Sequence, residues 1–267
     1  MGLTKRNLIL PLVFVLVIVS MLRLLKLTIS SSSFSSQRLV LNTYNHKPFT
    51  IPPITPSNLV QNGFFTKKEI QFLFDIILQK SPCSILVFGL EDLYLKLPNI
   101  NKGGTTVFLE DRPEKLRKIE GGLNDTCVYK VEYKTYAKDA YELLNHTRSY
   151  SSCDLSSGIV SIMSECKLVM TGLPEEVLKT KWDVIVVDGP DGDRPVSPGR
   201  MSSIFMAGVL ARSGNRTNVI VHDVDRMIEK WFSWEFLCEE NRVSSKGRFW
   251  NFRIPQQTNE NSVKFCT

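Results

Sequence analysis

Three textures of apolar and polar residues follow one another along the chain. Asn7 to Leu22 is a nearly unbroken apolar run, Thr28 to about Pro56 shows no sustained period, and from Thr66 onward short β-branched runs alternate with stretches of helical spacing. Five runs read as strands: CSILVFGL (Cys83 to Leu90), TTVFLED (Thr105 to Asp111), YKVEYKT (Tyr129 to Thr135), WDVIVVDG (Trp182 to Gly189) and TNVIVHD (Thr217 to Asp223). The first, fourth and fifth are almost continuously apolar, as strands buried on both faces are. Between them lie helical stretches. TKKEIQFLFDIILQK carries Thr66 and Glu69 at capping-box spacing. RPEKLRKIEGG, AKDAYELLNHT and PEEVLKT follow, then SPGRMSSIFMAGVLARSG, with Ser197 as cap, Pro198 in the first turn and Gly214 at the exit. VDRMIEKWFSWEFLCEEN is a further amphipathic helix, and GRFWNFRIP reads as a late strand. The alternation predicts an α/β fold with a doubly wound, mostly parallel sheet.

In such sheets a ligand lies outside the carboxyl ends of the strands, near the point where strand order reverses. The candidate chemistry therefore sits at the run ends. The first run ends in Phe88-Gly89-Leu90, and Gly89 lets a ligand approach the backbone closely because it lacks a Cβ. Glu110, near the end of the second, lies 21 residues beyond Gly89, the offset at which nucleotide-binding α/β folds place an acid on ribose hydroxyls. Glu110 is thus the candidate cofactor acid and Asp111 the candidate cap of the next helix. The fourth and fifth runs end in Asp188 and in His222-Asp223, ionisable groups at the mouth of an apolar sheet. His222, beside an acid, is the candidate general base. With the fourth and fifth strands as neighbours, Asp188 and Asp223 converge and form a candidate pair for a divalent metal ion that acidifies a substrate hydroxyl. The competing role for Asp223 is to cap the helix that follows.

Arg200, in a Gly- and Pro-rich loop, is the candidate grip on a substrate carboxylate, while Arg226 reads as structural. Trp231, Trp234 and Trp250 suit stacking on sugar rings, although Trp231 and Trp234 have the helical spacing of a core. A G-x-G-x-x-G turn, which would seat a pyrophosphate and favour a nicotinamide oxidoreductase, is absent.

Charge alters this picture little. The formal net charge is +6, but Lys5, Arg6, Arg23 and Lys26 supply four of it with no acid before residue 27, leaving a surplus of two. There is no Arg-rich stripe or aromatic-basic repeat, so nucleic acid is not an expected partner. The apolar run from Asn7 to Leu22 covers about 24 Å as a helix, short for a membrane span. Its flanking Arg23 and Lys26 suit a snorkelling signal-anchor better than a cleaved signal, for which TISSSSFSSQ would supply the small residues. The expected organisation is a cytosolic tail at 1–7, a signal-anchor transmembrane helix at 8–27, a flexible stem at 28–56 and a lumenal domain at 57–267. Sequons at Asn124, Asn145 and Asn215 fit a lumenal domain. So do six cysteines without CxxC spacing, which argue against zinc and permit disulfides. Cys153 with Cys166 and Cys238 with Cys266 are the expected pairs, the other reading being buried free thiols. These features together favour a type II arrangement.

Three stretches carry a resemblance: WDVIVVDGPDGDRPVSPGRMSSIFMAGVLAR, VIVHDVDRMIEKWFSWEFLCEEN and GRFWNFRIP with the terminal FC. Over roughly Thr50 to Cys266 the chain resembles the plant polysaccharide-biosynthesis family that contains the glucuronoxylan 4-O-methyltransferases and the arabinogalactan O-methyltransferases, the latter more than the former. The resemblance implies a methyltransferase-type sheet and a Golgi type II membrane enzyme. Its reaction would move a methyl group from S-adenosylmethionine to the 4-hydroxyl of glucuronic acid on a wall polysaccharide. It implies that Gly89 lines the methionine end, that Glu110 holds the ribose and that Asp188 sits next to the sulfonium. His222 or Asp223 would activate the hydroxyl, and Arg200 would meet the uronate. It also implies an alternative, because the family includes members regarded as non-catalytic helpers of xylan assembly. The family pattern continues the first strand as Gly-Leu-Gly-His-Asp, whereas this chain reads Gly89-Leu90-Glu91-Asp92-Leu93, with a negative charge in place of a loop glycine.

Overall fold

In the computed structural model, the described residues are 65–117, 126–149, 153–154, 166–257 and 265–266. The expected anchor at 8–27, the stem at 28–56 and the sequon at Asn124 lie outside them. The chain divides into units Met1–Ile54 and Thr55–Thr267, and everything below concerns the second. Among the described residues no helix is long and apolar enough to cross a membrane.

Helix α1 (Lys67–Leu78) begins where the sequence places it. Thr66 Oγ1 accepts the Glu69 N–H at 3.3 Å while the Glu69 carboxylate accepts the Thr66 N–H at 2.7 Å, the reciprocal capping box. The Glu69 carboxylate also accepts the Arg248 N–H at 2.7 Å, so the cap ties α1 to the start of the last strand.

Seven strands form one sheet: β1 (Ser84–Phe88), β2 (Thr105–Glu110), β3 (Thr126–Lys130), β4 (Val184–Val187), β5 (Arg216–Val221), β6 (Arg242–Lys246) and β7 (Phe249–Pro255). Their order is β3-β2-β1-β4-β5-β7-β6. The first five run parallel, β7 is antiparallel to β5, and β6 is antiparallel to β7. Strand order reverses between β1 and β4. Helices α2 (Leu97–Ile100), α3 (Pro113–Arg117), α4 (Ala140–Ser149), α5 (Glu175–Lys179), α6 (Met201–Ser213) and α7 (Met227–Phe236) complete the described elements with short 3-10 turns.

Both sheet faces are covered, which is why the central strands read as unbroken apolar runs. Ile85, Val87, Val184 and Val186 face the core under α1, built from Ile70, Leu73, Phe74 and Ile77. Leu86, Phe88, Ile185 and Val187 face the larger core under α6 and α7. Both expected disulfides are formed, Cys153–Cys166 and Cys238–Cys266, while Cys83 and Cys127 remain free thiols. Asn145 and Asn215 are exposed.

Several elements differ from the sequence reading, among them helix α2 (Leu97–Ile100) and the 3-10 turn before it, which have no counterpart there. The third strand occupies 126–130 rather than 129–135, because β2 ends at Glu110, opposite Lys130, and leaves nothing for later residues to pair with. Helix α6 starts at Met201, not at Pro198, since Gly199 adopts φ +70° and turns the chain before the helix can begin. Strand β6 went unread because RVSSK is exposed along its whole length at the sheet edge and has no apolar alternation.

Candidate active site

The parallel ladder brings the predicted residues to one rim. Leu109, Phe88, Val187 and Val221 stand in one row across β2, β1, β4 and β5. Glu110, Gly89, Asp188 and His222 are each the next residue along. The register continues into them: Gly89 N–H donates to Leu109 O at 2.8 Å, Asp188 N–H to Phe88 O at 2.9 Å and His222 N–H to Val187 O at 3.0 Å.

Gly89 and Gly189 make the tips of β1 and β4 touch. A Cβ on Gly189 would sit 2.7 Å from Gly89 Cα, and one on Gly89 would sit 3.0 Å from Gly189 N, with Gly89 already at φ +98°. Neither position tolerates a side chain. The expected service of Gly89 to a ligand is therefore not the contact it makes here, which is with the neighbouring strand tip.

Asp188 is the hub of a buried polar cluster. Its Oδ1 meets His222 Nδ1 at 2.8 Å and Arg200 Nη2 at 2.9 Å, and its Oδ2 accepts the Tyr94 hydroxyl at 2.6 Å. Burial alone would raise its pKa, but the Arg200 charge and the bonds from His222 and Tyr94 outweigh it and hold the carboxyl down at about 2. The phenol of Tyr94 is pushed the other way, by burial and the Asp188 charge. Asp223 adopts φ +59° and is gripped by three guanidiniums: Arg200 Nη2 at 2.9 Å, Arg226 Nη2 at 2.8 Å and Arg248 Nη1 at 2.8 Å. His222 packs against the rings of Phe65 (4.8 Å) and Phe249 (4.4 Å), and its Nε2 has no hydrogen-bond partner among the described residues.

Two expectations change in this light. Arg200 was expected to grip a substrate carboxylate, yet all three nitrogens of its guanidinium are engaged within the protein. Its Nε donates to Pro190 O at 3.3 Å, its Nη1 to His222 O at 2.9 Å and its Nη2 reaches both aspartates. It is an internal clamp. Asp188 and Asp223 were expected to hold a metal ion, and with His222 their ligand atoms do lie within 4.8 Å of one another. The place between the two carboxylates is filled by Arg200 Nη2, 2.9 Å from each. The donor set as arranged does not fit a divalent cation, since the guanidinium already supplies the positive charge.

Glu110 is fully buried. Its Oε1 accepts both the Arg112 N–H and Arg112 Nε–H at 3.0 Å, whereas Oε2 has no hydrogen-bond partner among the described residues. Burial pushes the carboxyl up, and the two bonds and the charge of Arg112 more than reverse that, so Glu110 is held below the usual range. Arg112 also reaches Asp191 at 3.1 Å and Glu91 at 3.3 Å, and Lys115 pairs with Glu91 as well. Asp111, expected as a helix cap, has its pKa pushed up to about 6 by burial and by the neighbouring Glu110 carboxyl.

Sequence reasoning missed Tyr94, Arg112, Arg248 and Phe65. Tyr94 and Asp188 are 94 residues apart, and no local spacing links them. Arg112 was within reach, because it follows Glu110 by two positions at a strand tip. Trp231 packs against the core, and Trp234, 42% exposed, stacks on Trp250 at 5.9 Å.

The family model described as IRX15/IRX15L/GXM matches residues 68–252, which contain every residue of this rim except Phe65. The chain belongs to that family. It is 36% identical over 206 residues to arabinogalactan O-methyltransferase 2 of Arabidopsis thaliana, covering 74% of this chain and 71% of the relative. To glucuronoxylan 4-O-methyltransferase 2 of the same plant it is 37% identical over 204 residues, 75% and 69% of the two chains. Among solved structures, a methyltransferase-like protein from Silicibacter pomeroyi covers 72% of this chain and 88% of its own at 16% identity, with a TM-score of 0.40, too slight a likeness to argue from.

Proposed function

We propose that this family member is an S-adenosylmethionine-dependent O-methyltransferase acting on the 4-hydroxyl of glucuronic acid side residues of a wall polysaccharide, arabinogalactan or glucuronoxylan. The observation that carries the reading is Glu110 Oε2, a buried carboxylate oxygen without a partner at the rim where strand order reverses. A ribose hydroxyl is the donor such an acceptor lacks. The names of the curated relatives supply the class of acceptor.

When bound, S-adenosylmethionine supplies an electrophilic methyl carbon. The chain's own residues supply alignment and removal of a proton. Asp188, ionised and fixed by Arg200 and Tyr94, takes the Nδ1–H of His222 and so leaves Nε2 as the nitrogen with a free lone pair. That nitrogen is the proton acceptor for the sugar hydroxyl. Asp223, its oxygens taken up by three arginines, serves to organise the guanidiniums. Arg226, 37% exposed at the rim, takes over the role first expected of Arg200, meeting the uronate carboxylate. A single-pass type II Golgi location with the domain in the lumen is part of the proposal, supported by two disulfides and two exposed sequon asparagines.

The alternative, a non-catalytic helper of polysaccharide assembly, drew on Glu91 as an unwelcome charge. Its pairing with Arg112 and Lys115 weakens that ground. The test is methyl transfer from labelled S-adenosylmethionine to uronic-acid-bearing oligosaccharides. The full-length protein is expected to label them, and His222→Gln to lose about 10²–10⁴-fold in kcat while still binding the cofactor. Cofactor binding without transfer to any acceptor of the panel would favour the helper reading.

A further inference from the structure

A second polar cleft lies away from the rim, between α1 and the β5-β7-β6 edge of the sheet. Its volume is about 390 Å³, and Phe72, Ile76, Gln79, Asn218, Asn251 and Arg253 line it. That size falls within the range of clefts that take small ligands. Asn218 is 2% exposed. Its Nδ2 donates to Asn251 Oδ1 at 2.9 Å, and Asn251 Nδ2 donates in turn to Ser244 Oγ at 3.1 Å. The relay leaves Asn218 Oδ1 without a partner. Turning the amide over exchanges an unmet acceptor for an unmet donor, so an unmet polar atom stays buried behind this wall of the cleft.

The lining specifies a chemistry. Side-chain amides and a hydroxyl in a chain match vicinal hydroxyls, which both donate and accept. Phe72 and Ile76, half-buried on α1, offer an apolar surface for the C–H face of a sugar ring. The other charges of the cleft are already engaged: Asp75 accepts from Gln71 Nε2 at 2.6 Å, and Lys80 Nζ donates to Asp183 O and Arg216 O at 3.0 and 3.1 Å. Arg253, exposed on β7, is the guanidinium that a carboxylate entering the cleft would meet.

We propose that this cleft is a saccharide subsite for a uronic acid residue, distinct from the site of methyl transfer. The proposal rests on the reading above that the acceptor is an acidic polysaccharide, and it adds a second point of attachment. Asn218 precedes His222 by four residues on one strand, about 13 Å at strand rise, a separation suited to a polymer rather than to a monosaccharide.

The test measures binding of glucuronic-acid-bearing xylo-oligosaccharides, and of their neutral counterparts, to the full-length protein by calorimetry without S-adenosylmethionine. Arg253→Glu and Gln79→Ala alter exposed side chains and leave the cores untouched. Acidic oligosaccharides are expected to bind, neutral ones more weakly, and Arg253→Glu to lower acidic binding about tenfold, the loss of one charge-assisted contact. Gln79→Ala is expected to weaken both. In the transfer assay, Arg253→Glu raises KM for a polymeric acceptor and leaves kcat and KM for a short one unchanged. Absence of binding, equal binding of neutral sugars, or binding indifferent to Arg253→Glu overturns the subsite. If the variant loses saccharide binding while the wild type transfers no methyl group, the subsite stands and the enzymatic reading falls. If transfer proceeds with polymer KM unmoved by the variant, the reverse holds.

Discussion

Arg112 Nη2 stands 3.3 Å from Glu91 Oε1, joining the tip of β2 to the loop after β1. Glu91 stands where the resemblance noted in the sequence leads one to expect a glycine, and two cations answer it, Arg112 and Lys115. The same guanidinium holds Glu110 and Asp191, so one side chain spans the ends of three strands. The Glu91 carboxylate, added beside Glu110, is thereby paired locally by cations.

Arg112→Ala is expected to weaken S-adenosylmethionine binding, and more at pH 6 than at pH 8. Without the Arg112 guanidinium the burial of Glu110 is opposed only by the backbone N–H of residue 112 and the charge of Lys115, so its pKa rises and the protonated carboxyl is a weaker acceptor for a ligand hydroxyl. Glu91→Gln added to that variant should restore part of the loss, a coupling of about 0.5–3 kcal/mol for residues in one network. Cofactor titrations at both pH values check this, and unchanged affinity in Arg112→Ala would contradict it.

Arg200→Ala leaves Asp188 and Asp223 buried without the cation between them, and the expected cost is about 3–5 kcal/mol of stability. Lysine should recover only part of it, because an ammonium cannot reproduce the planar span from two carboxylates to the carbonyls of Pro190 and His222. Denaturant midpoints measure the loss. Since Arg200 supplies the positive charge at this place, chelator or added divalent cation should leave the wild-type midpoint where it is.

Asp111 makes stability depend on pH in a defined direction. Its pKa, about 6 in the folded protein against 3.8 ordinarily, is raised first by burial and then by Glu110. A raised carboxyl contributes fully below the ordinary value, and that contribution is lost as pH rises through about 6. Asp111→Asn should therefore gain on the wild type between about pH 4 and 7, with a constant difference below that window. Paired unfolding curves across the range decide it, and a variant that loses ground to the wild type as pH rises is the opposing result.

Much of the architecture was legible because burial on both faces writes itself into composition. β4 and the later halves of β1 and β5 had to be apolar, and Thr66 with Glu69 announced the first helix by spacing alone. The rim was legible for the same reason: an ionisable residue directly after a buried strand has few places to go. What escaped was set by partners distant in sequence. Nothing near Thr135 says that β2 stops at Glu110, and nothing in SPGRM says that Arg200 turns inward to bridge two aspartates from separate strands. The convergence of Asp188 and Asp223 was readable from adjacent strands, but the identity of the cation between them was not.

Calorimetric titration of S-adenosylmethionine into the wild-type protein and Glu110→Ala isolates the role of that carboxylate. Measurable binding is expected in the wild type, and its loss when the buried, half-satisfied carboxylate at the end of β2 is removed, in a variant shown to be folded by its unfolding midpoint. Binding of equal strength in a folded Glu110→Ala protein would contradict it.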